Sequence, residues 1–366
     1  MDISNLKMIL SEYAERFTEL NDESGSDEGY KWRAVKCFQD NWDVNADDFP
    51  KMFSAAMKKT ENLVNNTSVQ PLAGIQALLK FKEEIPTVRN CFELLFSEDN
   101  GDINTRQERI NLFTEKINER IESYFPGSYR YPQSFANALF YLSLWRPDEN
   151  YIYRYTEASR WADCIEFGDD FGSGSSFSLS TYYRMCDELL SWLAKYPNVI
   201  ALNRSRKQKE LPNYDDKRHL LVWDIIYCNS TYNLYSKATI HKGSAQSRIK
   251  RAERRERYEK LVDLADAKRR EIDSLTVTEM PDLVGAAVYH KLYKAGTVID
   301  KNGSTITISF NAGEKKFILP DCVTGGFIKF EDDAINETIF QIGTEAKMKS
   351  DAEKELVALQ RKKSTI

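Results

Sequence analysis

No stretch of eighteen apolar residues occurs in this sequence of 366 residues, so a membrane-spanning helix is not expected. The opening residues, Met1-Asp2-Ile3-Ser4-Asn5-Leu6-Lys7, lack the apolar core of a secretory signal. Together these absences predict a cytoplasmic protein with no membrane partner. Histidine is scarce: the three are far apart in the chain, which argues against a zinc site. The six cysteines (Cys37, Cys91, Cys164, Cys186, Cys228 and Cys322) form no C-x-x-C pair and mostly sit among apolar or aromatic neighbours. Buried free thiols are the expectation. A G-x-x-x-x-G-K-[S/T] loop is also missing, which excludes P-loop nucleotide hydrolysis. No cofactor and no metal is expected.

What is present is enough apolar and aromatic side chain to build real cores, 42% and 12% of residues. The net charge of −5 argues against a chain that coats nucleic acid uniformly, but the charge is unevenly placed. The first 120 residues hold 15 Lys and Arg against 22 Asp and Glu, whereas Lys242 to Lys260 holds eight against three.

The first 150 residues read as a helical bundle. Leu6, Leu10, Tyr13 and Phe17 recur at steps of three and four, as do Trp32, Val35, Phe38 and Trp42. Asp47-Asp48 can cap a helix carrying Phe49, Met52, Phe53, Ala56 and Met57. Further helices are expected over 75–81, 87–96, 106–124 and 134–145. The 106–124 helix has Ile110, Phe113, Ile117 and Ile121 on one stripe.

An α-rich middle region follows, over 151–240. Tyr151-Ile152-Tyr153-Arg154-Tyr155 alternates like a short strand, and Tyr153 beside Arg154 is a candidate for stacking on a nucleic-acid base. Core aromatics are the plainer reading of the same residues. Glu166, Asp169 and Asp170 stand next to a Gly/Ser loop and are candidate catalytic carboxylates of a metal-dependent nuclease. The same stretch also suits a turn that caps the next helix, over 179–193. Residues 203–210 read as a basic loop. Leu220 to Cys228 is apolar nearly all round and therefore a central helix, whose Asp224 needs a cationic partner, Arg or Lys. His219 has no second histidine or cysteine close in sequence.

The segment 241–280 is a charged connector, helical from Gln246 to Ile272, with sparse apolar residues; it reads as a spacer or a thin coiled coil. Arg248, Lys250, Arg251, Arg254, Arg255, Arg257 and Lys260 form stripes able to follow phosphates. Beyond it, Thr305 to Phe310 alternates strictly, with Ile306, Ile308 and Phe310 on one face. Asn302-Gly303 and Ala312-Gly313 are turn signals on either side. Short strands over 281–335 suit a small curled sheet or barrel, and residues 336–366 hold a charged helix, read over 346–359.

His290-Lys291, Gly296-Thr297-Val298, Thr305 to Phe310, Lys316-Phe317, Pro320-Asp321 and Gly326-Phe327 resemble a small Tudor-like, CarD-like barrel of bacterial nucleic-acid-handling proteins. Leu292-Tyr293-Lys294-Ala295 departs from that pattern, which commonly has Phe-Gly there. In the first half, Lys31 to Trp42, Asn62-Leu63, Val88 to Phe96 and Arg106 to Ile110 resemble the N-terminal region of bacterial proteins related to the methylcytosine-specific restriction GTPase, without their motor. The expected fold is thus mainly α with a C-terminal SH3- or Tudor-like barrel, α+β overall. The resemblances imply a non-catalytic nucleic-acid-binding or adaptor subunit, in phage defence or restriction. Its partners would be DNA or RNA and a separately encoded AAA+ ATPase or nuclease. The alternatives are the metal-dependent nuclease above and a pure protein scaffold.

Overall fold

A computed structural model describes residues 1–22, 25–65, 68–210, 215–241, 244–275 and 278–365, without the side chains of 62 and 207–210. The chain divides into two compact units, Met1–Ala252 and Glu253–Ile366. It is mainly helical, with one antiparallel sheet near the C-terminus.

The first unit contains α1 (Ile3–Glu15), α2 (Phe17–Leu20), α3 (Tyr30–Asn41), α4 (Phe49–Ala56), α5 (Glu61–Val64), α6 (Pro71–Leu78), α7 (Ile85–Leu95) and α8 (Ile103–Tyr124). It continues through α9 (Phe135–Trp145), α10 (Tyr155–Cys164), α11 (Leu179–Leu193), α12 (Pro197–Glu210) and α13 (His219–Thr231). Periodicity finds these helices well. Ile110, Phe113, Ile117 and Ile121 of α8 are all buried, and so is every residue of α13 from His219 to Ile226. Local chemistry sets the starts: Asp48 accepts from the Lys51 amide at 3.1 Å, and Ser134 with Asn137 forms a capping box at α9.

Residues 1–150 and 151–240, expected as separate regions, contribute to one continuous core. Two local readings change. Residues 203–210 lie in α12 rather than in a loop. Residues 151–154 form no strand, and Tyr151, Ile152 and Tyr153 are all buried. An alternating tyrosine run signals a half-buried strand only if one side stays wet, and here both sides are packed.

Helix α14 (Ala245–Ser274) begins in the first unit and continues in the second. The second unit then holds β1 (Ala287–His290), β2 (Lys294–Asn302), β3 (Thr305–Phe310), β4 (Gly313–Ile318), α15 (Asp321–Thr324), β5 (Ile328–Phe330) and α16 (Asp333–Ser364). The sheet order is β4-β3-β2-β1-β5, all antiparallel. Gly303 supplies the positive φ of the β2–β3 turn and Gly313 that of the β3–β4 turn. Ile306, Ile308 and Phe310 point into the core as their alternation requires, joined by Val288, Val298, Ile328 and Phe330. A Cβ on Gly296 would lie 2.5 Å from the Phe310 ring, so only glycine lets β2 approach it this closely.

Helix α16 starts well before Ala346. Its first turns carry Ile339 into the sheet core, and Asn336 bonds both the amide and the carbonyl of Phe330 (2.9 and 2.8 Å). That side chain acts as a substitute strand and satisfies part of the β5 edge. Farther along, Lys268 pairs with Glu355 at 2.7 Å and Lys363 lies over Tyr258, so α14 and α16 run antiparallel as a thin helical pair.

Candidate nucleic-acid interface

The acidic loop and the basic helix, two separate candidates in the sequence, are each other's partners. Glu166 sits at φ 46° with its side chain buried, and accepts from Arg251 Nε at 3.1 Å. Arg248 is buried and donates to the Phe167 carbonyl (2.9 Å), the Asp163 carboxylate (2.7 Å) and the Asp169 carbonyl (3.1 Å). Asp169 pairs with Arg184 at 2.6 Å, and Asp170 accepts from the Gly172 amide at 2.9 Å. Gly172 has φ 67°, and a Cβ there would meet the Ser176 carbonyl oxygen at 2.2 Å. The loop is a self-bonded turn leading to the Ser178 cap of α11. Its three carboxylates point to three different partners rather than to one shared centre.

Among the described residues, acidic and thiol groups do converge at Glu28, Asp224 and Cys228, in the interior of the first unit. A cation is already there. Lys31 Nζ lies 2.5 Å from both carboxylates, and Asp224 also accepts from Arg206 (2.8 Å) and Tyr13 (2.6 Å). Burial pushes the Asp224 carboxyl up, but Lys31 and Arg206 outweigh it and hold its pKa at about 2. The Arg206 guanidinium lies 3.5 Å from the centre of the Trp32 ring. This cluster ties α1, α3, α12 and α13 together, and the two cationic partners of Asp224 are the residue types its burial demanded. Five of the cysteines are buried free thiols, and Cys37 is half-buried.

The remaining candidates separate by exposure. Tyr153 is buried among Phe171, Phe177 and Tyr182, and Arg154 donates to the Leu63 carbonyl at 2.5 Å. On α14, Lys250, Arg254, Arg257 and Lys260 are exposed, while Arg255 is half-buried. Lys260 is held by Glu256 at 2.6 Å, and Arg257 donates to the Glu253 carbonyl. Lys242, the first residue of the basic stretch, lies outside the described residues.

A cationic surface that the sequence reading passed over lies on the C-terminal sheet. Lys291, Lys294, Lys315 and Lys316 are exposed, Lys301 is half-buried, and none has a carboxylate partner among the described residues. Aromatic rings stand among them: Lys294 lies 5.9 Å from the centre of the Tyr289 ring and Lys315 lies 5.7 Å from that of Tyr293. His290 organises the β1–β2 turn, its Nδ1 accepting from the Leu292 and Tyr293 amides (3.1 and 3.2 Å) while its ring stacks on Tyr293. Lys294 takes φ 64° in this turn, which aims its side chain from a position that strands rarely offer. The available signal was compositional: residues 281–330 contain six lysines and no arginine.

No family model matches the chain, and neither a curated protein nor a solved structure matches it. No helix among the described residues is long and apolar enough to cross a membrane.

Proposed function

We propose that the chain is a non-catalytic nucleic-acid-binding or adaptor subunit, and that its binding surface is the part of the C-terminal sheet around Lys291, Lys294 and Lys315. The carrying observation is that these three lysines have no acidic partner among the described residues, in a protein whose net charge is −5. On α14, Arg248 and Arg251 are engaged by the 163–170 segment and Lys260 by Glu256, whereas Lys250 and Arg254 are exposed. Unneutralised lysines beside exposed rings suit a polyanion with flat bases, since phosphates displace counterions and rings offer stacking faces. Lys315 and Lys316 have a second effect on the edge strand β4, where charge deters edge-to-edge pairing. Lys291 and Lys294 carry the binding argument without that ambiguity. A cytoplasmic setting, expected from the sequence composition, completes the proposal together with phage defence or restriction and a separately encoded AAA+ ATPase or nuclease as partner; the last two come from the sequence resemblances.

The test is fluorescence anisotropy with a labelled oligonucleotide over a salt series. Wild type is expected to lose affinity steeply as salt rises, and Lys291→Glu/Lys294→Glu/Lys315→Glu to lose most binding. The pair Arg254→Glu/Arg257→Glu is expected to lose less. Salt-insensitive binding, or full binding by the triple variant, would overturn the assignment.

A further inference from the structure

We infer that the nucleic acid this surface takes is single-stranded, with its bases stacked against Tyr289, Phe327 and Phe340. The inference rests on the nucleic-acid reading above and deepens it. Tyr289 and Lys329 face each other across β1 and β5, and they border two adjoining cavities. One, of about 640 Å³, has a floor of small side chains including Ala287, Ala295, Thr297 and Ser309. The other, of about 400 Å³, is walled by Val323, Phe327 and Phe340. The register explains the first: Tyr289 has the short Ala295 directly opposite it on β2, and Ala287 faces Thr297, so small side chains line this side of the ring.

The three rings are 52%, 61% and 49% exposed, too much for core residues. Grouped around shared cavities they form a patch, whereas a single exposed ring would need no explanation. A base can lie on such a face only when unstacked from its neighbours, which a duplex forbids and a single strand permits. Charge then sets where the backbone runs. Lys291 lines the apolar cavity and Lys294 stands over Tyr289, both without carboxylate partners among the described residues. Lys329 is shared with Asp333 at 3.3 Å, and Glu331 lines the larger cavity. Phosphates are therefore drawn to the Lys291–Lys294 side, and the bases turn toward Tyr289, Phe327 and Phe340.

The full chain is titrated with a labelled oligothymidylate and, separately, with a duplex of equal length at one salt concentration. The single strand is expected to bind roughly tenfold tighter or more. Phe327→Ala and Tyr289→Ala are each expected to weaken it roughly tenfold while leaving duplex binding unchanged, the size of one lost base–ring stack. Both rings are exposed, and far-ultraviolet circular dichroism of each variant confirms that the fold is kept. Equal affinity for both forms, with no loss in Phe327→Ala, would overturn this inference and leave the nucleic-acid reading intact. Salt-dependent binding to neither form would overturn both. Self-association by sedimentation velocity that Phe327→Ala abolishes, with strand binding unchanged, would reassign the patch to a second copy of the chain.

Discussion

In the N-terminal unit the buried cations are Arg106, Arg109, Arg206, Arg248 and a single lysine, Lys31, and each is held by carboxylates or carbonyls. On the C-terminal sheet the cations are all lysines, nearly all exposed, and most have no acidic partner among the described residues. The difference follows from the two side chains. Guanidinium offers five donors in a rigid plane, so one Arg248 can satisfy two carbonyls and a carboxylate at once. An ammonium is a compact, strongly hydrated charge on a mobile stem, suited to phosphates whose positions vary. Counting charge along the chain treats both alike and so points first to α14, where the arginines are densest. Asking which cations the fold has already neutralised takes Arg248, Arg251 and Lys260 out of that count and brings the sheet lysines in.

The comparison can be broken most severely at Asp224. Asp224→Asn removes the charge that Lys31 and Arg206 share and leaves two buried cations with less compensation. The expected loss is about 3–5 kcal/mol in the stability of the N-terminal unit, read by urea unfolding. Oligonucleotide binding at the sheet should survive wherever the variant remains folded. A loss below about 1 kcal/mol would mean that the cluster is solvated and is not the internal tie described here.

How much of this was legible in the sequence depends on whether a signal was local. Helix periodicity, the Asp48 and Ser134 caps and the β3 alternation all act within a few residues and read correctly. Partner choice does not. Arg248 and Asp163 are 85 residues apart, and Lys31 and Asp224 are 193 apart, so no pattern along the chain could pair them. The 203–210 segment was misread because density of charge resembled a loop, although a helix with solvated faces has the same composition. Tyr153 failed as a candidate for a related reason: its neighbours Phe171, Phe177 and Tyr182 come from elsewhere in the chain and close over it.

A smaller effect of opposite design concerns His219, a cation that the N-terminal unit keeps neutral. It stacks on Tyr151 at 4.0 Å, and burial lowers its pKa to about 4 from an ordinary 6.5; Lys217 and Arg106 push the same way, and Asp148 opposes them. Between those two pH values the unfolded chain binds a proton that the folded chain refuses. Stability is therefore full above about pH 6.5 and falls as pH drops toward 4, by an amount on the order of 3 kcal/mol. Asp99, held at about 2 chiefly by its bond from Arg106, and Asp224 lose their contributions only at lower pH, below the ordinary carboxylate value of 3.8. Urea unfolding at pH 7 and pH 4.5 should show the decline in wild type and a flatter profile in His219→Phe, which keeps a ring on Tyr151. Identical pH profiles in the two proteins would show that His219 is not the group responsible.

The smallest expected effect sharpens the comparison most, because it separates the two kinds of cation by stability alone. Arg248→Ala strips donors from the carbonyls of Phe167 and Asp169 and from the Asp163 carboxylate, with a loss of about 1–3 kcal/mol. Lys291→Ala removes an exposed side chain with no acidic partner, so stability should stay within about 0.5 kcal/mol of wild type. Binding should reverse the order: once corrected for the unfolded fraction, Arg248→Ala keeps its affinity for an oligonucleotide, while Lys291→Ala loses part of its affinity and of its salt dependence. Thermal unfolding and anisotropy on the same preparations decide it. If Lys291→Ala destabilised the protein as much as Arg248→Ala, the sheet lysines would be structural too, and the distinction between engaged arginines and available lysines would fall.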